Sequence, residues 1–174
     1  MPQSAPREFI SITIAVLTIS DTRNEQTDKS GNYLAEAVKN ANHKLAGKVI
    51  VKDDIYSIRA QVSKWIADSN IQTIITTGGT GFSPRDVTPE AIRPLLDKEI
   101  PGFGEYFRTI SMQQVGTSTI QSRALAGTAN NTYIFSLPGS GNACKTGWED
   151  ILLQQLDYRH RPCNFIELLP NIAS

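Results

Sequence analysis

Gly78-Gly79-Thr80-Gly81 is the stretch whose residue types point most directly to chemistry. It follows Ile71 to Thr77, an Ile- and Thr-rich run that reads as a strand. Glycines at a strand end let the backbone turn sharply and approach a ligand closely. Amide N–H groups exposed in such a turn suit a phosphate. No Gly-Lys-Ser/Thr follows, so this is not a Walker loop. Pro84 stands where the third glycine of a dinucleotide fingerprint belongs. Taken alone, the turn fits a phosphate cradle and an ordinary strand-to-helix connection equally. Arg85-Asp86 comes next. A guanidinium contacts phosphate through two N–H groups, and a carboxylate is a hard oxygen ligand for Mg²⁺. The plainer readings are a surface arginine and an extra cap for the helix that begins at Thr88. A second glycine turn, Pro138-Gly139-Ser140-Gly141, ends another strand, with Cys144 in the third glycine position. It reads equally as a plain connection, and Ser122-Arg123, just before a hairpin, has a similarly plain reading.

Other chemistries have little support. His43 and His160 are far apart and share no ligand spacing with the cysteines. No GxSxG nucleophile elbow is present. Cys144 reads as a small buried hydrophobe, and Trp65 and Trp148 as core residues on helix stripes.

The elements that must position these residues alternate. Residues 10–19 form a thickening apolar run with many β-branched positions, the mark of a buried strand. Ser20-Asp21 leaves its carboxyl end. Tyr33, Leu34, Ala37, Val38 and Ala41 repeat at helical spacing, and Lys48–Val51 is a second strand. Asp53 and Asp54 follow, and either can cap the helix whose stripe is Ile55, Ile58, Val62, Trp65 and Ile66. After the third strand, Thr88 as N-cap and Pro89 at the first position announce a short helix. A further helix is expected from about Phe103 to Gln114. Asn130-Asn131 tolerates φ > 0 and should join two strands as a hairpin. The last helix is expected over Trp148–Leu156. Alternating strands and helices predict a three-layer α/β fold: a mainly parallel sheet, helices on both faces and one β-hairpin. Ligands of such sheets bind beyond the carboxyl ends of the strands. Ser20-Asp21, Asp53-Asp54, Gly78–Asp86 and Leu137–Gly141 all lie there.

The chain has 174 residues, enough for one domain that buries about 70% of its unfolded surface. The division expected is a flexible leader over 1–9, one domain over 10–157, and a C-terminal tail over 158–174 packed on the domain or a neighbouring subunit. Lys+Arg and Asp+Glu are each 17, so no basic excess favours nucleic acid. No apolar run approaches the ~20 residues of a membrane span. The N-terminus lacks an apolar signal core. Two lone cysteines, Cys144 and Cys163, then suggest a reduced, cytoplasmic setting.

Combined, these signals are specific. The run from Thr77 to Ala91, TGGTGFSPRDVTPEA, resembles the signature of the MoaB/MogA family of molybdenum cofactor biosynthesis proteins. The resemblance extends from about Ile10 to Leu156. It includes Ser20-Asp21, Asp28-x-Ser30-Gly31, Asp53, Pro101-Gly102-Phe103-Gly104-Glu105, Ser122-Arg123 and Leu137-Pro138-Gly139. Arg161-Pro162-Cys163-Asn164-Phe165 is similar to the B-type branch. The resemblance implies adenylylation of molybdopterin with Mg²⁺ and ATP, giving adenylylated molybdopterin and pyrophosphate. It places the two functional, metal-holding aspartates on Asp53 and Asp86, 86 − 53 = 33 residues apart. It assigns nucleotide phosphates to Gly78, Gly79, Thr80, Gly81, Arg85, Pro138, Gly139 and Ser140. Molybdopterin falls to Ser20, Asp21, Ser111, Ser122 and Arg123. The partners implied are copies of the same chain, as a homotrimer or hexamer, and other proteins of the pathway. Two further readings stand beside it: a non-catalytic molybdopterin binder with the same pocket, and a nucleotide-binding oligomeric scaffold that never handles the pterin.

Overall fold

One strand that is apolar on both faces organises the molecule. β1 (Thr13–Ile19) places Ile14 and Val16 in one core and Ala15, Leu17 and Ile19 in another. Such a strand needs cover on each side. In the computed structural model, which describes residues 6–170, helices supply it. The chain continues through α1 (Lys29–Asn40), β2 (Lys44–Val51), α2 (Ile55–Ile66), β3 (Thr73–Thr77) and α3 (Thr88–Ile92). It then forms β4 (Lys98–Glu99), α4 (Pro101–Val115), β5 (Leu125–Ala129), β6 (Thr132–Leu137), α5 (Gly141–Gly147) and α6 (Leu153–Gln155). The strand order is β2-β1-β3-β6-β5-β4. β2, β1, β3 and β6 are mutually parallel, and β5 and β4 complete the sheet antiparallel.

Leu34 and Val38 of α1 and Phe103 and Phe107 of α4 cover one face. Ile58 and Val62 of α2, with Ala91 and Ile92 of α3, cover the other. Each of these side chains except Ala91 contributes roughly 1.5–3 kcal/mol on burial. The three-layer α/β arrangement is the expected one. So is the β5–β6 hairpin, whose Asn130 and Asn131 have φ of 47° and 63°. From β1 the chain goes to β2 on one side and reaches β3 on the other. The carboxyl ends of β1 and β3 therefore flank the switch point of the sheet.

Several boundaries differ from expectation. β2 begins four residues earlier, at Lys44, because pairing with β1 from Thr13 recruits residues that carry no strand-like pattern. The N-cap of α3 is Val87 rather than Thr88, and Thr88 Oγ1 donates to the carbonyl of Gly78 at 2.8 Å. The last helix begins at Gly141, not Trp148. The Ser140 hydroxyl caps it, accepting from Ala143 N, and a π-type turn over Trp148–Leu152 leads into α6. The two-residue edge strand β4 had no signal at all.

The leader is not free where it is described. Arg7 pairs with Glu167 and stacks over Tyr158, and the Phe9 ring lies 5.1 Å from that of His43. Residues 1–5 of the expected leader and residues 171–174 of the tail lie outside the described residues. Within the tail, Ile166 and Leu169 are buried in this domain's own core. Phe165 rests 4.9 Å from Tyr133 and 5.5 Å from Phe135. Among the described residues, no helix is long and apolar enough to cross a membrane.

Candidate functional site

The turn after β3 is fixed by backbone constraints that only glycine meets. Gly78 has φ 106° and Gly79 φ 66°, both in the left-handed region. A Cβ on Gly78 would lie 2.2 Å from the carbonyl oxygen of Ile19. The turn thus lies directly against the end of β1. Gly139 lets the second glycine turn pack against the first, since its Cβ would stand 3.2 Å from Gly78 Cα. Ser30, in the first turn of α1, donates its hydroxyl to Gly139 O at 3.0 Å. Beneath these loops the buried Asp28 caps α1, accepting from Gly31 N, Thr18 Oγ1 and Lys48 Nζ at 2.9, 2.7 and 3.0 Å. A Cβ on Gly31 would sit 2.2 Å from both Asp28 Oδ2 and Thr18 Oγ1, which explains the Asp28-x-Ser30-Gly31 pattern.

These loops enclose a cleft of about 620 Å³ beyond the carboxyl ends of β1, β3 and β6. Asp53 and Asp86 both line it. Each carboxylate reaches the glycine turn: a Cβ on Gly79 would be 3.0 Å from Asp53 Oδ1, and one on Gly81 2.8 Å from Asp86 Oδ2. The amides of Gly79, Thr80 and Gly81 have no protein acceptor among the described residues. Asp86 Oδ2 is oriented by Ser83 N, 2.8 Å away. It does not cap α3.

Asp53 carries an electrostatic load. Burial, then the negative charges of Asp21 and Asp86, push its pKa above the ordinary carboxylate value. Asp21 goes the other way, held low mainly by its hydrogen bonds from Arg85. The repulsion of Asp53 by Asp21 and Asp86 is one that a bound cation would relieve. Among the described residues, no three His, Cys, Asp or Glu side chains converge as a complete metal cage. Two hard carboxylates without a cage suit Mg²⁺, which is commonly held by one or two carboxylates, substrate phosphates and water.

Of the residues expected at the site, Ser20, Asp53, Gly78, Gly79, Thr80, Gly81, Asp86, Ser122, Pro138, Gly139 and Ser140 line the cleft. Arg85, Asp21, Arg123 and Ser111 are not in this lining. Arg85 donates Nε and Nη2 to the Asp21 carboxylate, each at 2.9 Å. Asp21 Oδ1 in turn accepts from Asp53 N at 3.2 Å. Ser111 is buried on α4. Sequence reasoning did not assign Arg23, Lys29, Ser30, Ser118 or Gln121 to the site, and all five line it. Ser30 was legible in its motif. Ser118 and Gln121 lie on a 3₁₀ turn over Gly116–Gln121 that no periodicity announces.

Residues 15–158 match the family described as "Probable molybdopterin binding domain". The chain is 54% identical over 158 residues to molybdenum cofactor biosynthesis protein B of Escherichia coli (strain K12), covering 91% of this chain and 93% of that one. A crystal structure of a molybdenum cofactor biosynthesis protein B superposes with a TM-score of 0.81 at 44% identity, covering 88% and 94% of the two chains. The tungsten cofactor synthesizing protein MoaB of Pyrococcus furiosus superposes with a TM-score of 0.74 at 39% identity, over 82% and 91%. With the family match spanning most of its length and these relatives covered nearly whole, the chain belongs to the MoaB/MogA family of molybdenum cofactor biosynthesis proteins.

Proposed function

We propose that this chain, acting in molybdenum cofactor biosynthesis, adenylylates molybdopterin with Mg-ATP. The terminal phosphate oxygen of molybdopterin attacks the α-phosphorus of ATP, the bond to the bridging β-phosphate oxygen breaks, and pyrophosphate leaves. A phosphate monoester is largely dianionic at pH 7, so the nucleophile needs no general base. The protein's work is then to align two phosphate-bearing molecules and neutralise charge. The observation that carries this reading is that Asp53 and Asp86 both reach one glycine turn in which the amides of Gly79, Thr80 and Gly81 lack protein acceptors.

The amides of residues 79–81 orient phosphate oxygens, and the turn at Pro138–Gly141 forms the adjoining wall. Asp53 and Asp86 would hold Mg²⁺, which when bound neutralises the oxygens around the reacting phosphorus. Arg23 and Lys29 add positive charge to a cleft whose lining also carries Asp28, Asp53 and Asp86.

Purified protein incubated with molybdopterin and Mg-ATP should yield adenylylated molybdopterin and pyrophosphate in equal amounts. Tight molybdopterin binding by calorimetry with no product would instead establish a non-catalytic binder. Nucleotide binding without any for molybdopterin would leave only a nucleotide-binding scaffold.

A further inference from the structure

The loop from Gly81 to Asp86 is exposed over most of its length. A loop in that position is a poor platform for a metal-holding carboxylate unless something fixes it. Arg123 does. Its backbone N–H donates to Thr80 O at 3.0 Å, just before the loop. Its Nε donates to Gly81 O at 2.9 Å and its Nη2 to Asp86 O at 2.8 Å, so one guanidinium binds both ends of the loop. Nη1 pairs with Glu90 of α3. The ring of Phe82, within the loop, lies 5.1 Å from the guanidinium carbon. The side chain keeps only 20% of its exposure. All three guanidinium nitrogens already have protein partners, and the cleft is not lined by Arg123.

We propose that Arg123 is a positioning residue that sets the Asp86 carboxylate for metal-nucleotide binding, and is not a molybdopterin ligand. The proposal rests on the adenylylation reading for its activity arm only. A planar fork can bind two carbonyls and a carboxylate at once, and a lysine ammonium cannot reproduce that geometry. The carbonyls at each end of the loop fix where Asp86 begins its side chain, and Ser83 N then aims Oδ2. Loss of the fork lets the loop relax while leaving the molybdopterin side of the cleft in place.

The test uses full-length Arg123→Lys and three measurements: molybdopterin affinity by calorimetry without nucleotide, Mn²⁺ binding with ATP by electron paramagnetic resonance, and turnover. We expect molybdopterin affinity within about twofold of wild type, because no contact to that ligand is removed. Mn²⁺–ATP affinity should fall about tenfold and kcat about 10–100-fold, the scale of losing a group that orients a metal ligand. The KM for molybdopterin should hold steady. A tenfold loss of molybdopterin affinity with Mn²⁺–ATP binding intact would overturn the proposal, as would a variant matching wild type in all three. Should Arg123→Lys fail to fold, Glu90→Gln releases one arm of the clamp and should weaken Mn²⁺–ATP binding alone; unchanged binding there overturns the proposal. Wild-type protein that binds Mn²⁺–ATP but never turns over defeats the adenylylation reading, and the two binding measurements still decide the role of Arg123.

Discussion

Asp53 is the carboxylate whose charged form the fold disfavours, through burial and the nearby charges of Asp21 and Asp86. Its folded pKa lies above the ordinary value of 3.8, so over the pH range between the two values the folded state retains a proton that the unfolded state has lost. That difference destabilises the fold at every pH above the folded pKa and vanishes below the unfolded one. Asp53→Asn should therefore raise the Tm at pH 7, with the gain disappearing as pH falls below about 3.8, while adenylylation drops. An unchanged or lower Tm at pH 7 would contradict this account of the cleft. Asp86→Asn tests the other carboxylate. The asparagine side-chain oxygen can still accept from Ser83 N, so the loop should keep its shape. Activity should fall about 10²–10³-fold, the usual loss for one charge-stabilising group. Near-normal single-turnover rates at saturating Mg²⁺ would remove Asp86 from the role. Cys144 takes no part: buried against Thr77, it is pushed up to about 11 by desolvation and carries no thiolate at neutral pH. A Cys163→Ser chain should resist thiol reagents until it is unfolded.

At the scale of elements, the adjacent aspartates divide their work. Asp54 caps α2, accepting from Ser57 N at 2.7 Å, and that hydrogen bond is the main cause of its lowered pKa. Asp54→Ala should lower the Tm and leave activity intact; equal activity losses for Asp53→Asn and Asp54→Asn would defeat the division. The helical stripe from Ile55 made this cap legible, because a cap is a local event. Periodicity likewise revealed α1, α2 and β1, and the conformational tolerance of Asn130-Asn131 revealed the hairpin. It did not reveal the start of α5, since Gly141 and Gly147 are poor helix formers. Tertiary packing explains Gly147, where a Cβ would lie 2.5 Å from Leu137 Cδ2. Gly147→Ala should overpack that contact at a cost of about 1–3 kcal/mol in chemical denaturation. A neutral result would mean that α5 is looser than its packing indicates. Thr88 misled for the same non-local reason, since its hydroxyl serves the Gly78 carbonyl ten residues back. The glycine turns and both aspartates were legible as residue types at strand ends. The engagement of Arg85 by Asp21 and of Arg123 by the loop was not, because both depend on segments brought together from across the chain.

For the whole molecule, the switch point between β1 and β3 gathers the carboxyl-end loops into one cleft, which a balanced net charge does not preclude. We propose that copies of this chain assemble as a homotrimer or a pair of trimers. Tyr106, Met112, Val115 and Ile120, along α4 and the turn after it, are 48–75% exposed and offer apolar surface for such contacts. Light scattering should give three or six times 19.1 kDa, and a 19.1 kDa species at micromolar concentration would contradict the assembly. Removing the chain after Arg159 deletes Ile166 and Leu169 from the core, so that truncation should lower stability whatever it does to the mass.

In the reaction we propose, the Asp53–Asp86 cleft transfers the adenylyl group of ATP to molybdopterin. A single-turnover experiment with ATP labelled at the α-phosphate tests it most directly, run side by side on wild-type protein and Asp86→Asn. Label should enter molybdopterin with wild type, in step with pyrophosphate release, and the variant should lose nearly all of that transfer. Label that stays in ATP with wild-type protein, at molybdopterin and Mg²⁺ concentrations that saturate binding, would contradict it.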